Sequence, residues 1–420
     1  MKVLWLSHLI PYPPKGGVLQ RTFNMIKEVS QYHDVTLVAF NQTQLLKASL
    51  PDQDDPLKFA VSQMGKFVES IHIIGSHKSK RLGGSYGLAL KALLGGKAYN
   101  MEWMRSREAR REIEDILEKE YFDVVHLDTI SLCVYADLFE RFPIVLNHHN
   151  FESAMLRTRA STESNFLKSL YFRLEASRLY RSEKYYCSRS DLNLTCSDED
   201  ADSMQNLIPN ARFTTVPNGV DISYFYPNQS VQVVKKSIVI VGGLSWYPNR
   251  EAVEFFIRRI WPTLKERIPE LVVDVIGRGP TTEMLRLAES DQRFRVHGFV
   301  DDVRDYLWQA QVYLCPIRTG GGTKLKILDA LASGCCIIAD PFSCKGINVT
   351  NGVNVMYART PKDYVDEIIK LLEDPALEKG LKKEGPKLIR NQYSYSEIGK
   401  QYAKILETLL EQDSQTRKAP

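Results

Sequence analysis

The segment VYLCPIRTGGGTKLKILDALA, residues 312–332, decides the fold class of this chain. It starts with an apolar run, 312–314, that predicts a buried strand, and it runs into a predicted helix that ends at Ala332. Three glycines lie between them: Gly320, Gly321 and Gly322. Glycines let a ligand approach the backbone, and the first turn of a helix directs unpaired N–H groups toward it. With Lys324 and Lys326 adding charge, the loop favours an anion site that suits a diphosphate. The alternative is a glycine-rich turn with solvated lysines.

The same order of apolar run, loop and helix recurs along both halves of the chain. The predicted strands are 3–6, 35–40, 68–74, 124–127, 144–146 and 192–195, then 237–241, 271–276, 312–314, 335–339 and 353–357. The clearest predicted helices are 18–30, 249–267, 324–332 and 361–372. Continuous apolar runs separated by helices are typical of a parallel sheet that is covered on both faces.

The alternation breaks once, at a stretch rich in proline and glycine. We therefore predict an α/β protein with two doubly wound, Rossmann-like domains. The first domain covers 1–215, a linker covers 216–230, and the second domain covers 231–392. A C-terminal helix at about 393–412 is expected to pack back on the first domain.

Composition narrows the class of protein. The chain has 420 residues, and 55 basic against 51 acidic residues give a net charge of +4, too small to indicate a nucleic-acid partner. No run approaches the roughly 18 apolar residues of a membrane span, and the N-terminal apolar run is too short for a signal peptide. The seven cysteines form no Cys-x-x-Cys pair, which fits a reducing compartment. We expect a cytoplasmic protein.

Three further features are candidates for ligand contact. Asp329 lies in the helix after the glycine loop, where an acid can accept hydrogen bonds from ribose hydroxyls, or is simply a solvated aspartate. Gly16 and Gly17 follow the first predicted strand and either face the same ligand or form a turn of no function. The post-strand cluster NHHNFE, 147–152, favours polar substrate contact or proton handling over metal binding, because adjacent residues seldom both reach one ion.

Several motifs, in this order, resemble glycosyltransferase family 4, the retaining enzymes of the GT-B fold. They are PYPPKGG at 11–17, HHNFES at 148–153, VPNGVD at 216–221, VIGRGP at 275–280, VHGFVDDV at 296–303 and GGGTKLKILDALASG at 320–334. WYPN at 246–249 resembles a subset tied to cell-surface polysaccharide synthesis. The resemblance implies two domains that face a central cleft. It also implies transfer of a sugar from a nucleotide-diphosphate sugar to a glycan or lipid-linked acceptor.

The resemblance also implies roles for individual residues. The catalytic set would be His149, with His148 as its rival, together with Lys324 and Arg250. Phe299 and Val300 would touch the base through the backbone, and Asp329 would take the ribose hydroxyls. The remaining donor-binding residues would be Gly16, Gly17, Gly277, Arg278, Arg318, Gly320, Gly321, Gly322 and Thr323. No cofactor is implied, and the departing diphosphate would accept the proton of the acceptor.

The chain departs from the family pattern at four positions. The family's paired glutamates, eight positions apart, fall at Gly321 and Asp329, so the first is missing and the second is shortened. The arginine and lysine that commonly clamp the diphosphate fall at Gly243 and Asn249, which carry no charge. We expect a cation elsewhere to replace them, since leaving-group stabilisation is mostly electrostatic. The candidates are Arg250, Lys324 and Arg318. No Asp-x-Asp pair lies in the predicted donor site, which favours a metal-independent reaction.

Residues 78–111 are locally basic, with interleaved leucines. This pattern predicts an amphipathic surface for anionic lipid or a lipid-linked acceptor at the inner face of the membrane; the alternative is a set of helices with a solvated basic face. The cations are Lys78, Lys80, Arg81, Lys91, Lys97, Arg105, Arg107, Arg110 and Arg111.

Two other functions fit the same architecture. A nucleotide-sugar epimerase would need no second substrate. A non-catalytic nucleotide- or sugar-binding protein stays open because Gly321 replaces a glutamate. A dehydrogenase is disfavoured because no Gly-x-Gly-x-x-Gly follows the first predicted strand.

Overall fold

The computed structural model describes residues 1–14, 16–75, 92, 95–320 and 322–416. The chain forms two compact units. The first unit is Met1–Pro217 together with Ile398–Pro420, and the second is Asn218–Glu397. The chain therefore leaves the first unit once and returns to it.

The first unit is built on a seven-stranded parallel sheet. The strands are β1 Lys2–Ser7, β2 Asp34–Phe40, β3 Ser70–Ile74, β4 Val124–Leu127, β5 Ile144–Asn147, β6 Leu192–Thr195 and β7 Phe213–Thr215. Their order across the sheet is β3-β2-β1-β4-β5-β6-β7, and every pair is parallel. Strands β4, β5 and β6 are buried along their whole length, as expected for a sheet covered on both faces.

Helices flank this sheet. The described helices of the first unit are α1 Gly17–Val29, α2 Thr43–Ser49, α3 Pro56–Met64, α4 Tyr99–Met104, α5 Arg107–Lys119, α6 Glu152–Thr162, α7 Phe166–Cys187 and α8 Asp198–Leu207, with a 3₁₀ segment at Ile130–Phe139. Side chains cap several of them; Ser106 accepts from the Ala109 amide at the start of α5, and Ser197 accepts from the Asp200 amide at the start of α8.

The last helix of the chain, Tyr395–Thr416, completes the core of the first unit. Tyr402 is fully buried, and its ring lies edge-on to Trp5 of β1 with centroids 6.2 Å apart. The Tyr402 hydroxyl also contacts His126 Nδ1 on β4. A Cβ on Gly399 would overlap the Glu28 side chain of α1, so only glycine permits this helix to lie so close.

The second unit has a six-stranded parallel sheet. Its strands are β8 Val234–Val241, β9 Val272–Ile276, β10 Phe294–Gly298, β11 Ala310–Cys315, β12 Ile337–Ala339 and β13 Met356–Tyr357, in the order β10-β9-β8-β11-β12-β13. The helices are α9 Tyr247–Arg259, α10 Trp261–Arg267, α11 Thr282–Ser290, α12 Arg304–Gln309, α13 Leu325–Ala332, α14 Pro361–Glu373 and α15 Pro375–Gln392, with a 3₁₀ turn at Pro341–Cys344. We number Tyr395–Thr416 as α16. The two parallel sheets confirm the predicted fold class.

Beyond shifts of one to three residues at the ends of several strands, two details differ from the sequence prediction. The single helix predicted at 249–267 is two helices, α9 and α10, because Pro262 has no N–H to donate to the turn before it. The short edge strands β7 and β10 were not predicted. All residues of β7 are half-buried, and β10 alternates buried or half-buried residues with exposed ones, so neither strand has the continuous apolar run that marks the central strands.

Candidate functional site

Sheet topology identifies the ligand-binding edge of each unit. In the second unit, successive strands run outward from β8 through β9 to β10, and the chain then returns to place β11 on the other side of β8. The loops after β8 and β11 therefore separate, and open sheets of this kind bind ligands at that point. In the first unit the same reversal lies between β1 and β4.

Glycines hold the loops of the second unit close together. A Cβ on Gly277, directly after β9, would collide with the carbonyl oxygen of Gly242, directly after β8. The backbone is then linked from loop to loop, since the amide of Leu244 donates to the Arg278 carbonyl at 2.8 Å and that of Gly277 donates to the Gly298 carbonyl at 2.7 Å. The predicted residues Gly277 and Arg278 therefore lie beside the end of β8.

The glycine loop after β11 precedes an eight-residue helix, α13. Gly320 and Gly322 have φ of 99° and 66°, a left-handed conformation that favours glycine. Gly321 lies outside the described residues. Lys324 occupies the N-cap position and its Nζ donates to the Gly322 carbonyl at 2.9 Å, while no side chain caps the helix within the described part of the chain. The start of α13 therefore keeps N–H groups that an anion can bind.

Thr323 adds a buried hydroxyl to this loop. Its Oγ1 is buried and has no hydrogen-bond partner among the residues that the structure describes. A buried hydroxyl without a partner is costly, so this group suits contact with a ligand oxygen.

Lys326, in the first turn of α13, reaches across to the loop after β8. Its Nζ donates to the Val241 carbonyl at 3.0 Å and to Asn249 Oδ1 at 2.6 Å. The Asn249 amide in turn donates to the Gly243 carbonyl at 2.8 Å. A Cβ on Gly242 would overlap the Lys326 ammonium, so glycine makes room for the lysine. Burial lowers the pKa of Lys326, and the nearby Asp329 carboxylate opposes that shift.

The contact between Lys326 and Asn249 places a cation beside a position where the resemblance to the family led us to expect a basic residue. The side chain there is neutral, yet it holds a lysine ammonium from α13 at the end of β8. In the sequence, Lys326 stands out only as one of the charges that follow the glycine loop. Its partner is 77 positions away, so no spacing in the sequence indicates the pair.

The other predicted cations lie against aromatic rings or on helix α9. The guanidinium carbon of Arg318 lies 3.7 Å from the centre of the Phe255 ring, and that of Arg278 lies 4.7 Å from the centre of the Phe299 ring. Phe299 is 53% exposed. Arg250 lies half-buried in the first turn of α9. Val300 and Asp329 are also half-buried.

In the first unit, His149 lies in a polar network at the ends of β4 and β5. Its Nε2 is 3.4 Å from Asp128 Oδ1 and 3.5 Å from the Asn147 amide nitrogen. Asn147 also donates to Asp128 Oδ1 at 3.3 Å, and Arg21 from α1 donates to Asn147 Oδ1 at 3.3 Å. The ring of His8, after β1, lies 6.5 Å from that of His149.

Asp128 is the centre of this network. Its side chain is 1% exposed, and its Oδ2 accepts from the Thr22 hydroxyl at 2.8 Å. Burial alone would raise the pKa of this carboxyl, but the neighbouring imidazoles of His149 and His126 hold it well below its usual range. Asp128 is therefore an ionised carboxylate in a buried position. Asp128 was not predicted as a site residue, although it follows the buried strand β4 at the same sheet edge as His149.

The two neighbouring histidines have different surroundings. His148 is buried against the interior, with its Nε2 3.4 Å from Asn193 Oδ1 and 3.5 Å from Cys187 Sγ, and burial lowers the pKa of its ring to about 4. His149 is instead bonded to the Asp128 network. Glu152, at the start of α6, accepts from Asn100 and Thr129, and burial raises its pKa.

The N-terminal glycines begin helix α1. Gly16 is its N-cap residue with φ of 101°, and Gly17 is its first helical residue. No side chain caps this helix within the described residues. Lys15 lies outside the described part of the chain.

The basic stretch 78–111 is only partly described. Residues 78–91, with Lys78, Lys80, Arg81 and Lys91, lie outside it, as do 93–94. Of the described cations, Lys97 and Arg105 pair with Glu102, and Arg110 pairs with Glu114 and Asp137. Among the described helices none is long and apolar enough to cross a membrane. The described residues also contain no cluster of histidine, cysteine and acidic side chains that could hold a metal ion.

Two family models match the chain. The model described as Glycosyltransferase Family 4 matches residues 15–224, half of the chain, and the model described as Glycosyl transferases group 1 matches residues 235–374. Among curated proteins, the chain is similar to an uncharacterized 44.6 kDa protein in the cps region of Klebsiella pneumoniae. The two are 20% identical over 377 residues, which cover 88% of this chain and 90% of the relative.

Three solved structures share the fold over nearly their whole length. Sucrose-phosphate synthase from Thermosynechococcus elongatus has a TM-score of 0.69 at 14% identity, covering 98% of this chain and 99% of its own. HepE of Anabaena, in complex with UDP and glucose, has a TM-score of 0.61 at 13% identity, with coverages of 97% and 99%. The pneumococcal O-GlcNAc transferase GtfA, in complex with UDP and GlcNAc, has a TM-score of 0.63 at 12% identity, with coverages of 98% and 99%.

Proposed function

Because the chain belongs to glycosyltransferase family 4 and has the GT-B fold, we propose that it is a retaining, metal-independent enzyme that uses a nucleotide-diphosphate sugar. The sugar goes to a glycan or lipid-linked acceptor. The relative in a cps region and the WYPN motif support a role in cell-surface polysaccharide synthesis.

The observation that carries this proposal is the pair of loops after β8 and β11. The start of α13 offers N–H groups without a side-chain cap, and Lys324 and Lys326 bring two ammonium groups to the same edge. A diphosphate carries two or more negative charges, and both backbone N–H groups and ammonium groups can bind its oxygens. We propose that Gly320, Gly322 and Thr323 contact it from the loop.

The nucleoside fits the adjoining loops. Phe299 and Val300 follow β10, and the exposed Phe299 ring beside Arg278 can stack on a base. Asp329 lies one turn into α13, where its carboxylate can accept from ribose hydroxyls. We propose this order of contacts, from base to diphosphate, along the edge of the second sheet.

The cation that replaces the family's usual pair is proposed to be Lys326, with Lys324 beside it. Negative charge develops on the diphosphate as the bond to the sugar breaks, and a cation held in place before the reaction stabilises that charge. Lys326 is held by two hydrogen bonds, and it lies against the position where the family has a basic residue, here Asn249. Arg318 is stacked on Phe255 and Arg250 lies on α9, so both are secondary candidates.

For the acceptor side we propose His149 rather than His148. His149 is oriented by Asp128, an ionised carboxylate at the ligand-binding edge of the first sheet, whereas His148 is enclosed by Asn193 and Cys187. The first-unit glycines Gly16 and Gly17 start a helix at the same edge and are proposed to approach the donor diphosphate. The departing diphosphate accepts the proton of the acceptor hydroxyl.

A non-catalytic nucleotide-sugar-binding protein remains the second candidate, because Gly321 stands where the family has a glutamate. An epimerase is the third. Both predict nucleotide binding, so binding alone does not distinguish them from a transferase.

The test has two stages. A panel of nucleoside diphosphates is screened by thermal shift, with the matching monophosphates and nucleosides as controls; one diphosphate should raise the melting temperature more than its controls. The corresponding nucleotide sugars are then incubated with and without glycan and lipid-linked acceptors. Sugar transfer with retained anomeric configuration supports the proposal. Binding without any turnover would overturn the proposal in favour of a nucleotide-sugar-binding protein. Conversion of the donor alone to an epimer would overturn it in favour of an epimerase.

A further inference from the structure

The helical hairpin formed by α6 and α7 carries an apolar surface that the protein core does not use. The side chains of Phe166 and Leu167 at the start of α7 are 77% and 73% exposed. Leu170 and Leu174 on the same helix are also exposed, and so is Met155 on α6. Phe166, Leu170 and Leu174 are spaced by four residues, which places them on one face of the helix.

This face is distinct from the one by which α7 packs. The buried residues of α7 are Ser169, Glu175, Ala176, Leu179, Glu183 and Cys187. A surface helix normally exposes polar residues opposite its packing face. The face of α7 opposite its buried residues instead holds one phenylalanine and three leucines, and an exposed apolar cluster of this kind usually marks an interaction site.

The exposed charged side chains of the two helices are all positive, while the turn that joins the helices carries one half-buried acid, Glu163. Six side chains of the two helices are exposed cations: Arg157, Arg159, Lys168, Arg173, Arg181 and Lys184. The acids of α6 and α7 are turned inward. Glu183 is fully buried and Glu175 is 5% exposed, and Glu152 is half-buried with its oxygens bonded to Asn100 and Thr129. The outer side of the hairpin is therefore apolar and basic.

Two of these cations lie over aromatic rings. The guanidinium carbon of Arg159 is 4.4 Å from the centre of the Phe172 ring, and that of Arg157 is 5.0 Å from the centre of the Tyr180 ring. In each pair the guanidinium itself lies on an aromatic face, as a cation–π contact, and both arginines remain exposed. This is the arrangement that suits the boundary between lipid headgroups and acyl chains.

We propose that the outer face of α6 and α7 docks on an anionic lipid bilayer. A helix with phenylalanine and leucine on one side and arginine and lysine beside them lies in the plane of the interface, with its apolar side chains below the headgroups. The cations bind anionic headgroups, each strengthening the binding about fivefold at low salt. A second protein fits less well, because the core of a protein interface is depleted in charged residues, whereas six exposed cations surround this apolar face.

This surface differs from the basic stretch at 78–111, where three of the described cations are neutralised by acids. It also requires nothing of the nucleotide chemistry proposed above. A failure to bind lipid would leave the donor site untouched, and a failure to transfer sugar would leave lipid binding untouched.

The test compares vesicle co-sedimentation of the full chain with that of Phe166→Ser/Leu167→Ser. The vesicles are pure phosphatidylcholine or a mixture with phosphatidylglycerol, at low and high salt. Both residues are exposed, so the melting temperature of the variant should match that of the native chain. Tyr121→Ser is the matched control, since Tyr121 is 71% exposed in the same unit but far from this hairpin in sequence.

The native chain should bind the anionic vesicles, bind neutral vesicles weakly, and release at high salt. The double variant should lose at least about tenfold in partitioning, since two large apolar side chains no longer enter the bilayer. Tyr121→Ser should bind like the native chain. Absence of binding by the native chain, or equal binding by the double variant, would refute the proposal. So would light scattering that shows a dimer which only the double variant disrupts, because a second copy would then be the occupant.

Discussion

Replacing Asp128 by asparagine tests whether the buried carboxylate stabilises the first unit. The carboxylate accepts from Thr22 at Oδ2 and from Asn147 at Oδ1, and His149 lies 3.4 Å from the latter oxygen. An asparagine must turn its NH₂ group toward one of these donors and brings no charge to the histidines. Removing one partner of a buried charged network costs about 3 kcal/mol, so we expect the free energy of unfolding to fall by that amount at pH 7.

The effect should depend on pH in a defined direction. The pKa of Asp128 is lower in the folded state than in the unfolded chain, so its ionised form stabilises the fold above the unfolded pKa. This contribution is lost as the pH falls toward the folded pKa. An unfolded aspartate with a pKa of about 3.9 is mostly protonated at pH 3, which removes about 1.3 kcal/mol of the stabilisation present at pH 7. The difference in free energy of unfolding between the native chain and Asp128→Asn should therefore be about 1.3 kcal/mol smaller at pH 3 than at pH 7.

The assay should report on the first unit alone, because a chain with two units need not unfold in one step. Hydrogen exchange of the β4 and β5 peptides, followed against urea concentration, meets this need. Asp137→Asn is the control: Asp137 pairs with Arg110 in an exposed position, where an ion pair contributes at most about 1 kcal/mol. The reasoning would be refuted if Asp128→Asn lowered the free energy of unfolding no more than Asp137→Asn does. It would also be refuted if the difference in that free energy between the native chain and Asp128→Asn were the same at pH 7 and pH 3.

Three further predictions concern the second unit. Lys324→Ala should reduce sugar transfer at least ~100-fold, because the cation lies at the proposed diphosphate. Circular dichroism and the melting temperature should stay near native, since Lys324 is a half-buried residue at the start of α13; native rates of transfer would remove Lys324 from the proposed mechanism. Asp329→Ala should raise the donor Kd about tenfold by calorimetry, with a smaller change in kcat, and an unchanged Kd would exclude the ribose contact. Gly277→Ala should destabilise the second unit by about 2 kcal/mol in urea unfolding, since the added Cβ would collide with the Gly242 carbonyl oxygen. Gly243→Ala is the control and should have little effect, because no described atom lies within 4 Å of a Cβ placed there. Equal losses of stability in the two variants would contradict the close approach of Gly277 to Gly242.

Much of the fold could be predicted from local pattern. Parallel strands buried on both faces are mostly apolar along their length, so β4 and β6 were predicted with both bounds correct, at Val124–Leu127 and Leu192–Thr195. Edge strands lack that requirement, which is why β10 was missed. The break at Pro262 was visible in the sequence, but the apolar periodicity of 249–267 continues across it. The family resemblance is confirmed by the two matching family models.

The candidate site could be predicted only where the residues are close along the chain. The glycine loop, the start of α13 and the histidine pair are local features. Asp128 could have been included, because a carboxylate directly after a central strand lies at the ligand-binding edge. The contact of Lys326 with Asn249 depends on how far the loop after β8 approaches α13, and that distance is a property of the folded backbone.

The contact between Trp5 and Tyr402 has a consequence for synthesis of the chain. The ribosome makes Trp5 before the second unit and Tyr402 after it, so a complete second unit is translated in between. Throughout that time the groove that α16 later fills on the first unit is open, with the Trp5 indole and the α1 backbone beside Glu28 exposed to solvent or to a chaperone. A ribosome that stalls after the second unit would therefore release one finished unit and one unfinished one, and the unfinished one would be the earlier to be synthesised.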